Sequence, residues 1–127
     1  MKKVFGNLGL RGVAKLTTLV AGFALAGAAW AHVFPQKQEP GAGATVTSPA
    51  QVRVIFDGPL EPAFSSLTVT DASGKQVNTE KSAVDQHDAA VMTVALPTLS
   101  AGHYKVNWVA VASDGHRTHG DYSFDVK

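Results

Sequence analysis

From Ala44 onward, apolar side chains recur at every second position and nowhere at helical spacing, so the chain is confined to strands. Val52, Val54 and Phe56 alternate with Arg53 and Ile55, and Leu67 and Val69 alternate with Thr68 and Thr70. Asp71-Ala72-Ser73-Gly74 is a turn cluster, followed by a short strand near residues 76–79. Val91, Thr93 and Ala95 alternate with Met92, Val94 and Leu96. A longer strand is expected over residues 103–112, with Tyr104, Val106 and Trp108 on one face. The last is expected over residues 121–126, with Tyr122, Phe124 and Val126 on one face. About seven short strands separated by turns predict an antiparallel β-sandwich.

The first 31 residues have a different character. Lys2, Lys3, Arg11 and Lys15 lie there and none of the 10 acidic residues does. A charge-free run over residues 16–29 follows, rich in Ala, Leu and Val, and Ala29-Trp30-Ala31 forms a small-x-small cleavage site. A run of about 14 residues at 1.5 Å each covers roughly 21 Å, short of the ~30 Å hydrocarbon core of a membrane. Residues 1–31 therefore read as a cleaved signal peptide without a twin arginine, and residues 32–127 as one exported, periplasmic domain. The exported part carries all of the acid and is net negative, which argues against a nucleic-acid partner. With no cysteine, disulfides, thiolate zinc sites, iron–sulfur clusters and a cysteine nucleophile are excluded. Met1 and Met92 are too few for a methionine-rich cuprous site.

Cleavage after Ala31 makes His32 the first residue. Its α-amine and imidazole Nδ1 can close a six-membered chelate ring on one metal ion. The amine has a reference pKa near 8, against about 10.4 for lysine, so it releases its proton more readily to a metal near neutral pH. Between the last two expected strands lies Ser113-Asp114-Gly115-His116-Arg117-Thr118-His119-Gly120. Asp114 and His116, two apart, point to the same side of an extended segment. Together with His32 they offer three nitrogens and one oxygen, a set suited to tetragonal Cu(II), with tetrahedral zinc the alternative. The same Asp114-Gly115 pair also fits an ordinary hairpin turn flanked by solvated histidines.

After the signal, the chain resembles the CopC-type periplasmic copper-binding proteins of bacterial copper resistance. The likeness rests on the leading His32, the segments 40–46 and 54–62, Leu99-Ser100-Ala101-Gly102-His103-Tyr104-Lys105-Val106-Asn107-Trp108, Val111-Ala112-Ser113-Asp114-Gly115-His116, and the closing Phe124-Asp125-Val126-Lys127. Leu99–Tyr104 also has the pattern of the tyrosine corner of immunoglobulin-like sandwiches. The resemblance implies an all-β, antiparallel Greek-key sandwich, cupredoxin-like or immunoglobulin-like. It also implies one Cu(II) per mature chain held by His32, Asp114 and His116, and a non-catalytic carrier or scavenger, monomeric, serving an inner-membrane copper transporter of the CopD type.

Two departures stand out. Gly58 replaces the family's frequent Glu, and Asp57 or Glu61 is expected to substitute near the metal, Asp57 preferred. His119 stands where the family has a small residue, as an added ligand, a supporting donor or an exposed side chain. His87 and His103 are expected to be bystanders, and Arg117 to pair with Asp114 or Asp121. Two other functions fit parts of the sequence. One is a copper-dependent oxidative enzyme built on an N-terminal histidine. The other is a metal-free interaction sandwich.

Overall fold

A computed structural model describes residues 32–127; the expected signal peptide lies outside the described residues. Eight strands make up the described chain: β1 (Pro35–Glu39), β2 (Thr45–Val46), β3 (Gln51–Phe56), β4 (Ser66–Asp71), β5 (Ala83–Val84), β6 (Val91–Ala95), β7 (Gly102–Val111) and β8 (Arg117–Val126). They form two four-stranded sheets, one in the order β1-β3-β6-β5 and the other β2-β8-β7-β4. The expected all-β sandwich is what the chain adopts.

The two sheets face each other through the alternating residues of the sequence pattern. Val52, Val54 and Phe56 of β3 and Met92 and Val94 of β6 are buried from one side. Leu67 and Val69 of β4, Tyr104, Val106, Trp108 and Ala110 of β7, and Tyr122, Phe124 and Val126 of β8 are buried from the other. The Tyr104 and Phe124 rings stack at 5.8 Å. The Tyr104 hydroxyl donates to the Ser100 carbonyl at 2.7 Å, so the tyrosine corner closes as expected.

Three features differ from the pattern. β1 has no apolar alternation, because it is an edge strand held by antiparallel pairing to β3 and largely solvated. β2 pairs with β8 in parallel, the one parallel ladder among the described strands, so the N-terminal stretch contributes first to one sheet and then to the other. The turn between them includes Gly43 at φ +77°, a conformation glycine adopts without strain. Finally, β8 begins at Arg117, so Arg117 to Gly120 belong to the strand and not to the loop. Gly120 is tolerated there because the Trp108 indole lies on it: a Cβ at residue 120 would stand 2.7 Å from Trp108 Cζ2.

The expected strand near residues 76–79 is reduced to a single bridge between Thr70 and Gln76. Beyond it the free edge of β4 is met by side chains. The Leu67 amide donates to Ser82 Oγ and the Val69 amide to Asn78 Oδ1, each at 2.9 Å.

One buried polar atom among the described residues, the Tyr122 hydroxyl, has no hydrogen-bond partner, and burial pushes its phenol pKa up. A buried donor left unpaired costs about 1–3 kcal/mol, so Tyr122→Phe is expected to leave stability unchanged or raise it by about 1 kcal/mol in guanidinium unfolding. A clear loss would contradict this. Gly120→Ala, which drives a methyl group into Trp108, is expected to cost about 1–3 kcal/mol in the same assay.

Candidate metal centre

Loop 112–116 joins the two longest strands at one end of the sandwich. It is a tight turn: the Gly115 amide donates to the Ala112 carbonyl at 2.8 Å, and the Ala112 amide to the His116 carbonyl at 2.9 Å. Gly115 sits at φ +93°, in the left-handed region where a side chain would be strained. The expected turn at Asp114-Gly115 forms, and it puts Asp114 and His116 side by side. His116 Nδ1 lies 2.8 Å from Asp114 Oδ2, and the His116 amide donates to Asp114 Oδ1 at 3.1 Å. Both side chains are about half exposed.

His32 reaches this turn from the other end of the chain. Its ring lies edge-on to that of His116, with centroids 5.4 Å apart. Behind His32, the Val33 side chain is buried in the core. The Thr118 hydroxyl donates to the Val33 carbonyl, and Thr118 is itself buried. Asp57 grips the next residue twice: its Oδ1 accepts the Phe34 amide at 2.9 Å, and its own amide donates to the Phe34 carbonyl at 3.0 Å. The Phe34 ring stands edge-on to Trp108 at 6.4 Å, and Trp108 packs edge-on against Phe56 at 5.8 Å.

His32 thus lies ring to ring with His116, Asp114 is bonded to His116, and Asp57 holds the backbone of Phe34. His119 is exposed on the outer face of β8, opposite Val109 of β7, whereas its neighbour Thr118 faces inward. Gly58 lies beside Val33, where a Cβ would sit 3.4 Å from Val33 Cγ2. Arg117 makes no ion pair among the described residues; Asp114 is taken by His116 instead. His103 pairs with Asp125 at 2.8 Å at the far end of the β7–β8 ladder.

Among the described residues, no three histidine or acidic side chains converge on one point. Both oxygens of Asp114 are engaged by His116, and the nitrogen of His32 is a peptide nitrogen in the unprocessed chain. The groups with ligating chemistry are nonetheless adjacent: two imidazoles and a carboxylate at an exposed turn. The contacts that sequence reasoning missed are those of Val33 and Thr118. Their only signal was an apolar residue directly after His32 and a polar residue in step with Tyr122, Phe124 and Val126.

Residues 36–127 match the CopC domain. The chain belongs to the CopC family. Over 92% of its length it is 32% identical to copper resistance protein C of Xanthomonas campestris pv. juglandis and covers 97% of that protein. It is 33% identical over 99 residues to the copper transport protein CutJ of Bacillus subtilis, covering 76% of this chain but only 18% of that longer protein. Its structure is similar to the crystal structure of CopC from Methylosinus trichosporium OB3b, with a TM-score of 0.71 and 35% identity, over 76% of this chain and 94% of that one. The Asp114–His116 turn and the start of the final strand lie within the part that matches the CopC domain, and His32 stands just ahead of it.

The amide and imidazole of His116 hold the Asp114 carboxyl below its ordinary pKa, the backbone hydrogen bond being the larger cause. A lowered carboxylate pKa means that the turn's hydrogen bonds are fully present above the usual carboxylate range. They are lost only as pH falls through the lowered value. In an NMR titration the Asp114 carboxyl carbon is expected to change below its ordinary pKa, with the His116 amide following it. A midpoint at or above that value would show that the turn does not hold the carboxylate.

Proposed function

We propose that the processed chain, beginning at His32, is a periplasmic Cu(II)-binding protein of copper resistance that carries or scavenges the ion without catalysis. The observation that carries this reading is the approach of His32, 82 residues before Asp114 in the chain, to the Asp114–His116 turn, with its ring 5.4 Å from that of His116. The named relatives in copper resistance and copper transport support the choice of metal.

In this reading His32 contributes its α-amine and imidazole. Asp114 Oδ2 bonds His116 Nδ1, which leaves His116 Nε2 facing the ion, as a carboxylate commonly orients a ligating imidazole. An oxygen bonded to Nδ1 stands across the ring from an ion on Nε2, so Asp114 takes the fourth position by exchanging that bond for the ion. Asp57 acts through the backbone of Phe34, and His119 is offered as an outer donor only. Nitrogen and carboxylate donors favour the cupric ion, and a chain without cysteine lacks the thiolate of blue-copper electron-transfer sites. Reduction therefore releases the metal. One ion per chain, a monomer, and exchange with an inner-membrane copper transporter complete the proposal.

The exported protein is expected to begin at His32 by mass spectrometry and to bind one equivalent of Cu(II). Electron paramagnetic resonance should then show an axial signal with several nitrogen couplings. Loss of an orienting group typically lowers metal affinity about 10–100-fold, so His116→Ala, or one alanine added ahead of His32, is expected to cost at least about 100-fold. Affinity unchanged by the added residue would defeat the scheme, because the amine would then not be a ligand.

A further inference from the structure

Building on that reading of the centre, we propose that Thr118 is its positioning residue: by holding the Val33 carbonyl it fixes His32 against His116, with Asp57 as the opposite jaw of the clamp. The first residues of a domain are ordinarily poorly ordered unless tied down. Here the tie is made to both sheets. Asp57 directly follows β3 of one sheet and holds Phe34 by two hydrogen bonds. Thr118 lies in β8 of the other and holds Val33 by one. The Val33 side chain, 5% exposed, is sunk between them, leaving His32 as the first residue beyond the anchor.

Thr118 has a particular advantage of place. It stands two residues after His116, as the second residue of β8, and its hydroxyl reaches the residue next to His32. A single strand start therefore sets both imidazoles, and their separation is fixed over a lever of a few atoms. The hydroxyl has one proton to give. Its acceptor is the Val33 carbonyl, with the Ala110 carbonyl farther away at 3.4 Å. Removing it leaves a buried carbonyl unpaired at the hinge of His32, while no proposed metal ligand is lost. The consequence is a site with the same donors but a less ordered leading residue. Two donors held at the right separation bind an ion more tightly than the same donors on a free end, because less freedom is lost on binding.

The test uses the processed chain with Thr118→Val, which keeps the shape and removes the hydroxyl, and Thr118→Ser, which restores it. Val94→Ala, far from the turn in the core of the other sheet, serves as a destabilised control. Cu(II) affinity is measured by competition with a chromogenic chelator, and the donor set by electron paramagnetic resonance. Thr118→Val is expected to bind about tenfold more weakly, the effect of one lost buried hydrogen bond, with an unchanged spectrum. Thr118→Ser should regain most of the affinity, and Val94→Ala should keep wild-type affinity despite a lower melting temperature. Wild-type affinity in Thr118→Val, or an equal loss in Val94→Ala, overturns the clamp alone. Absence of binding by the unaltered processed chain overturns the reading of the centre, and the clamp with it.

Discussion

The long antiparallel ladder of β7 on β8 is the constraint on which the rest of the molecule depends. It runs unbroken from Gly102 opposite Val126 to Val111 opposite Arg117. Its inward face supplies Tyr104, Val106, Trp108 and Ala110 from one strand and Thr118, Gly120, Tyr122, Phe124 and Val126 from the other. Its ends are equally determined. The 112–116 turn presents Asp114 and His116, and the tyrosine corner and the His103–Asp125 pair close the far end. A slip of one residue in this register would send every inward side chain to the solvent face. It would also take Thr118 away from Val33 and Gly120 from beneath Trp108.

The centre inherits its order from that ladder without any covalent staple, since the chain has no cysteine. Val33, buried in the core, joins the N-terminal segment to the two sheets, and Phe34, Trp108 and Phe56 continue the packing inward as a series of edge-on rings. The exposed turn is thus backed by the Phe34, Trp108 and Phe56 rings. Movement of the leading residue is limited by core packing and not by the turn alone. In the proposed centre the His116 and Asp114 side chains stay open to solvent while the backbone on either side of them is held.

The fold was largely legible in the sequence because its signal is local. Inward positions of β3, β4, β7 and β8 follow from alternation, and Tyr104 from its spacing to Ser100. β1 was not legible, since Pro35-Gln36-Lys37-Gln38-Glu39 carries no apolar period and becomes a strand through the ladder that β3 offers it. The start of β8 was also missed. Gly120 and the polar Arg117, Thr118 and His119 look like loop until Trp108 is seen to need a residue without a side chain beneath it. For the centre, the Asp114–His116 pair could be read from a spacing of two. The nearness of His32 could not: it is set by the packing of Val33 between distant strands, and only the family likeness implied it. Thr118 was hidden for the same reason, because its partner is a carbonyl 85 residues away.

The outer margin of β4 has a further consequence. A strand at the border of a sheet normally offers a row of unused amide donors to any extended chain that meets it. Here the amides of Leu67 and Val69 are already given to Ser82 and Asn78, side chains of a segment that lies along the border without forming a regular strand of its own. Two copies of the molecule would have to break those bonds before they could join edge to edge. This border of the β4 sheet is thereby closed to a further strand at those two positions, with two side-chain oxygens in the place of a covering strand.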